Sequence, residues 1–518
     1  MRNTFFILVL LGTLAAHAGV KVATVFGDSM VVQRDKPVPV WGTATPGENI
    51  TVAFAGQAKS CVADATGRWE VKLDPLPASA EPRNFVVSAS SNQKSKIIQH
   101  QFTNVLVGDL WLCSGQSNMD MSMRPFPPWH QGVLNHAQEI AAAQHPRLRL
   151  FNVAHTPRHA KADDVGGEWL VCTPVTVADF SGVAYFFGRQ LLLETGVPQG
   201  LILSAVGGTS IQSWRDPARI QEPSTRQKIA AAAQQCAAHA DQLAAFEKAL
   251  PVFLEKTLTA ARTNGARPAG LPEPFKGYRS QPGYCYNGML APLAPCALRG
   301  IVWYQGEADT SWAAGYTAAL RDFITQCRVE FRDATLPCYI VQLANYDPTL
   351  KNPGIKARGP TWAALRQSQL EVLRAEPCSG LAVAADVGLA DQIHPPDKRA
   401  VGERLARWAL VQVYGRKIEC SGPLFQSLEI SGGKAFAKFS HAGGLVLKAA
   451  GAVSGFELAG ADGVFQPATA TVRGDAIELT HPAIAQPAAA RYGWADHPHL
   501  TLYNTAGLPA SPFVSSTP

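Results

Sequence analysis

The chain is short of charge, of charge clusters and of long apolar runs. Of its 518 residues 17% are charged, and the formal net charge is only +6. The basic residues are scattered, without runs and without interleaved aromatics, which argues against a nucleic-acid partner. Past the first residues no segment is apolar for long enough to span a bilayer, so no membrane span is expected in the mature protein. The ten cysteines form no Cys-x-x-Cys pair and no zinc spacing, so neither a dithiol motif nor a zinc module is expected. Their number is compatible with an oxidising compartment, and Cys327 and Cys338 lie close enough in sequence to pair. With 47% hydrophobic residues the composition is that of a globular chain and not a disordered one. Its length suggests about three domains.

What is present begins at the N-terminus. Met1-Arg2-Asn3-Thr4 gives a charged start, Phe5 to Leu11 is apolar, and Ala16-His17-Ala18 offers a small-residue cleavage site. This reads as a secretory signal over 1–18, cut after Ala18, and so as a secreted or periplasmic protein. Residues 19–103 carry short strand patterns broken by Gly and Pro. Asn49 to Phe54 alternates, Val62 to Val71 reads as two strands about a turn, and Asn84 to Ser88 is another strand. That pattern predicts a β-sandwich.

Between 104 and 415 continuous apolar strands alternate with amphipathic helices. The strands are Leu110–Cys113, Leu148–Val153, Leu201–Ala205, Ile301–Tyr304, Cys338–Leu343 and Leu381–Ala385; the helices are Tyr185–Glu194, Tyr316–Phe331, Trp362–Arg374 and Arg399–Tyr414. The alternation predicts an α/β domain with a doubly wound parallel sheet. A helical insertion over about 220–283 interrupts it. From 416 to 518 the strand pattern returns as a C-terminal β domain.

Chemistry-bearing residues gather just past the strand ends, where ligands bind in such sheets. The first is Ser117, in Cys113-Ser114-Gly115-Gln116-Ser117-Asn118-Met119. A serine on a turn between strand and helix can present its hydroxyl to an ester beside free backbone N–H groups. It needs a base. Asp391-Gln392-Ile393-His394 offers His394 as base, with Asp391 to orient it. Val206-Gly207-Gly208-Thr209 supplies a glycine turn whose N–H, at Gly208, suits an oxyanion. Trp303-Tyr304-Gln305-Gly306-Glu307 adds an amide and a carboxylate. An ionised Glu307 beside an oxyanion would be repulsive, so Glu307 is expected to point elsewhere while the Gln305 or Asn118 amide donates. Arg215 suits a sugar carboxylate. No metal or cofactor is required.

The ordered set Gly115-Gln116-Ser117-Asn118-Met119, Gly207-Gly208-Thr209, Trp303 to Glu307 and Asp391 to His394 resembles the SGNH-type esterase superfamily, and within it the long-form sialate O-acetylesterases. Met30 to Gly42, Tyr286-Asn287-Gly288-Met289-Leu290 and Leu508 to Phe513 extend the resemblance along nearly the whole mature chain. It implies an SGNH/flavodoxin-like fold, a serine esterase acting on O-acetylated sialic acids, and a site including Gln116 and Asn287. One departure is that the family usually follows Gln-Gly-Glu with Ser and Asn, where this chain has Ala308 and Asp309. Acetylated xylan or another acetylated glycan is the alternative substrate. A carbohydrate-binding protein with a dead site is the alternative outside enzymes.

Overall fold

The computed structural model describes residues 19–91, 94–263, 265, 270–351, 361–448 and 454–515; the expected signal segment, 1–18, lies outside them. Seven strands form the spine: β1 (Lys94–Gly115), β2 (His145–Asn152), β3 (Trp169–Cys172), β4 (Gln199–Ala205), β5 (Gly300–Tyr304), β6 (Cys338–Gln342) and β7 (Ser379–Val383). They run in the order β3-β2-β4-β1-β5-β6-β7. All neighbours are parallel except β2 and β3. Every residue of β4, β5, β6 and β7 is buried. This is why these strands read as unbroken apolar runs: helices cover both faces.

The helices are α1 (Ser117–Asp120), α2 (Gly182–Thr195), α3 (Pro223–Ala238), α4 (Ala240–Thr263), α5 (Ala313–Glu330), α6 (Thr361–Ala375) and α7 (Lys398–Gln412). Helix α2 packs against α7, and α5 against α6. From β1 the chain runs out to β2 and β3, returns to β4 between β2 and β1, then crosses to β5 on the other side of β1. That reversal beside β1 opens a crevice at the carboxyl ends of the strands.

Three N-terminal strands, Lys21–Val22, Val38–Thr43 and Arg68–Leu73, form a sheet of their own, while others are continuous with the central sheet. The first half of β1 pairs with Ser79–Ser91, which pairs in turn with Asn49–Phe54. One 22-residue strand therefore belongs to both the N-terminal region and the central sheet, and the expected boundary at 103/104 falls inside it. The junction is pinned by Asp109, fully buried, which accepts from Arg34 Nε (3.0 Å), Arg299 Nε (2.6 Å) and the Tyr414 hydroxyl (2.7 Å). At the other end, the buried Arg366 of α6 donates to the carbonyls of Ala495 and Asp496 and to those of Leu343 and Ala344. It thereby ties the C-terminal β region to the central sheet.

Helices α3 and α4 are the expected insertion. A small core of Ala232, Phe275, Tyr278 and Tyr284 anchors them. The pairing considered for Cys327 and Cys338 is not formed. Both are buried free thiols, one on α5 and one on β6, and burial pushes the Cys338 thiol up to about 12.

Candidate active site

Strand β1 ends at Gly115, whose φ is +143°. A Cβ there would lie 2.1 Å from the Tyr304 carbonyl oxygen of β5, so a side chain is excluded by contact as well as by dihedral. Gln116 donates its N–H to that same carbonyl (3.0 Å), and the chain turns into α1 with Ser117 as its first residue. The neighbouring strand end is bonded to this turn, because Val206 donates to the Gly115 carbonyl (3.2 Å). A Cβ on Gly207 would stand 3.4 Å from Ser117 Cβ, so the glycine turn of β4 packs directly on the serine. Gly208 follows in the left-handed region, at φ +75°.

These turns open on a cavity of about 910 Å³. Gln116, Ser117, Gly207, Gly208, Glu307 and His394 are among its lining residues, so residues that follow four strand ends share one cavity. Phe126, Trp129, Phe246, Phe253 and Tyr278 add apolar side chains to the lining, the last three from the insertion. Trp129 is 66% exposed.

His394 lines the same cavity as Ser117, and one hydrogen-bonding partner of its ring is a backbone carbonyl. Nδ1 of His394 lies 3.0 Å from the backbone carbonyl oxygen of Trp129. Asp391 is exposed, and among the described residues no hydrogen bond or ion pair joins it to His394. A carbonyl accepts a proton but cannot give one, so it fixes the tautomer with Nδ1–H outward and Nε2 as the basic nitrogen. The structure records no Ser117–His394 hydrogen bond among the described residues; such bonds commonly tighten only when substrate is bound.

Four other expected site residues are committed elsewhere. Gln305 is fully buried, and its Nε2 donates to Asp309 Oδ2 (2.6 Å), Gln116 Oε1 (3.0 Å) and the Thr209 carbonyl (3.2 Å). No N–H remains for an oxyanion. Asn118 likewise spends its amide on Glu307 Oε1 (2.5 Å) and the Ile393 carbonyl (2.9 Å). Asn287 donates to the carbonyls of Arg158 (3.3 Å) and His159 (2.9 Å), holding a loop. Arg215 is buried against Gln212, Glu222 and Asp322, a structural ion cluster closed to sugar.

Glu307 also departs from expectation, since it faces the cavity. Burial pushes its carboxyl above the usual carboxylate range, against the lowering hydrogen bond from Asn118. Its Oε2 is buried without a hydrogen-bond partner among the described residues. Asp309, at the position that departs from the family pattern, accepts from Ile211 N (2.8 Å) as well as Gln305, and burial raises it to about 6. Gln116 turns its Oε1 inward to Gln305, Gly306 and Ala308. Its own amide N–H groups have no partner among the described residues, and they lie at the cavity wall.

Sequence reasoning missed Trp129, and it missed His155, which lines the cavity and sits 3.2 Å from Asp120 Oδ1. It also missed Lys398, wholly buried at the start of α7. The described residues hold one group with metal-ligand geometry, Glu419, Cys420 and His441 in the C-terminal region; none of the three lines the cavity. No described helix is long and apolar enough to cross a membrane.

A family model for carbohydrate esterases, described as sialic acid-specific acetylesterases, matches residues 107–244 and 277–411. The chain belongs to that family. The unmatched stretch between the two segments covers most of α4 and the loop after it. Sialate O-acetylesterase of Mus musculus is 26% identical over 464 residues, 82% of this chain and 80% of that protein. That of Homo sapiens is 25% identical over 452 residues, 82% and 77% respectively. A solved structure titled as a novel carbohydrate acetylesterase from Xanthomonas citri superposes with a TM-score of 0.77 at 34% identity, over 96% of this esterase and all of that chain.

Proposed function

We propose that this esterase removes acetyl groups from a carbohydrate by an acyl-enzyme route, on an SGNH-type site. The observation that carries the reading is the meeting of Ser117, the Gly207-Gly208 turn and His394 around one cavity. His394 Nε2 takes the Ser117 proton as Oγ attacks the acetyl carbon. The Trp129 carbonyl holds the imidazole and stabilises the imidazolium through Nδ1–H. The tetrahedral oxyanion is met by the N–H groups of Ser117 and Gly208 and by the Gln116 amide; one such donor is typically worth about 10²–10³ in turnover. His394 then protonates the departing sugar hydroxyl, and water, deprotonated by the same ring, releases acetate.

The substrate class carried by the family is the O-acetylated sialic acids. A second reading, a neutral acetylated polysaccharide, is favoured by the cavity lining. An exposed indole suits stacking on a sugar face, and the guanidinium in the lining, Arg279, is paired with Glu273 instead of standing open to a sialate carboxylate. Acetate release from O-acetylated sialic acid, acetylated xylan and a chromogenic acetate, by wild type and Ser117→Ala, tests both. Release from sialic acid that Ser117→Ala abolishes supports the first, and release from xylan alone supports the second. Folded wild type inactive on all three overturns the esterase reading.

Export is part of the proposal and rests on the pattern over 1–18. N-terminal sequencing of the mature protein checks it, with Gly19 expected first.

A further inference from the structure

Lys398 is an anomaly that neither the fold nor the reaction yet uses. It is the first residue of α7, where the positive end of the helix dipole disfavours a cation. Its side chain is fully buried, and Gly182 of α2 makes room for its stem. No carboxylate touches its nitrogen among the described residues. Nζ donates instead to Asn118 Oδ1 (2.5 Å), with the Tyr304 ring 5.3 Å away. Burying an ammonium on so little compensation costs stability that an apolar side chain of the same size would not. Burial brings its pKa down to about 7.

What the lysine holds is informative. Asn118 follows Ser117 directly. With Oδ1 taken by Lys398, the amide is oriented so that Nδ2 bonds the Ile393 carbonyl, one residue before His394, and Glu307 Oε1 in the cavity wall. A flipped amide would set Oδ1 against two acceptors and Nδ2 against the lysine Nζ, so Lys398 and the two acceptors hold one sense together. One buried chain thus joins the nucleophile turn after β1, the histidine loop before α7 and the turn after β5.

We propose that Lys398 is a positioning residue for the esterase reaction, which acts through Asn118 to set Ser117 and His394 at reacting distance. The inference rests on the assignment of Ser117 and His394 above. Reacting groups held in the right geometry gain large factors, and a displacement of about 1 Å can cost about 10² in rate. Loss of the lysine should therefore lower kcat and leave KM, because the cavity that binds the sugar is unchanged.

The test is a double-mutant cycle on a chromogenic acetate with Lys398→Met, Asn118→Ala and the double variant, reading kcat and KM separately. Lys398→Met is expected to lower kcat by about tenfold to a hundredfold with KM within about twofold. In the Asn118→Ala background the same change should have no further effect. Wild-type kcat in Lys398→Met, or losses that multiply in the double variant, would overturn the proposal. If Lys398→Met does not fold, Asn118→Asp replaces it. The new carboxylate still accepts from Lys398 but cannot donate to Ile393, so kcat should fall with KM kept; an unchanged kcat overturns the role. Wild-type acetate release by Ser117→Ala or His394→Ala would instead sink the underlying assignment, whatever Lys398 does.

Discussion

The Trp129 carbonyl oxygen stands 3.0 Å from Nδ1 of His394 and occupies the place where a serine hydrolase usually puts a carboxylate. The loop that carries Asp391 delivers the histidine to the cavity but leaves its own carboxylate in solvent. A backbone dipole is weaker than an anion in stabilising an imidazolium, yet it is fixed by the chain and needs no side-chain ordering.

Asp391→Asn is therefore expected to keep kcat on a chromogenic acetate within about tenfold of wild type. Where a carboxylate does orient the base, the same substitution costs about 10⁴. A loss of that size would return Asp391 to the reacting set and make the Trp129 contact a feature of the empty site. Steady-state kinetics across pH 6 to 9 decide it.

A second histidine lies within the same cavity. His155 lies 3.2 Å from Asp120 Oδ1, so it too has a hydrogen-bonding partner for its ring. Position decides between them. His394 comes from the loop after β7 with Asn118 bonded to its neighbour, whereas His155 is bonded to Asp120 of α1. His394→Ala should lower kcat by about 10⁴ or more, and His155→Ala by less than about tenfold. The reverse order would assign the base to His155.

How much of this was legible in the sequence divides along physical lines. The doubly wound sheet followed from unbroken apolar runs separated by amphipathic helices, and the site from Gly-Ser and Gly-Gly turns at their ends. Local pattern carries such features. The orienting group at Trp129 is a backbone carbonyl, which every residue has, so no residue type announces it. Asn118, Gln305 and Arg215 point to a site through what their side chains can donate, and Asn287 through the family resemblance. The structure shows those donors already spent on one another, on backbone carbonyls and on nearby carboxylates. Hydrogen-bond capacity is a property of the residue, but its availability is a property of the packing. Lys398 reads as a solvated cation in sequence because nothing local reports that α2 and the strand ends close over it.

Glu307 is expected to act through its hydrogen bond with Asn118 and not through its charge. Burial raises its carboxyl, one oxygen accepts from Asn118, and the other lies buried without a partner. Glu307→Gln keeps an acceptor for Asn118 and removes the charge. Turnover should stay within about threefold of wild type, since the hydrogen bonds are conserved. A fall beyond about 10² with unchanged folding would show that the ionised carboxylate itself takes part.

Asp309 should limit stability at neutral pH. Its carboxyl titrates at about 6 in the folded protein against 3.8 in the free side chain, chiefly because burial penalises the charged form. An acid raised in the folded state favours folding fully below its unfolded value and loses that advantage as pH climbs through the folded one. Wild type should therefore weaken between about pH 4 and pH 6, by up to about 3 kcal/mol for a shift of this order. Both of its backbone and side-chain donors, Ile211 N and Gln305 Nε2, bond the same oxygen, Oδ2. Asp309→Asn can keep that oxygen as acceptor and stay neutral. Melting temperatures of the two proteins should coincide near pH 4 and separate by several degrees in favour of the Asn variant above pH 7. Parallel melting profiles across that range would show that the Asp309 charge is already offset in the folded state.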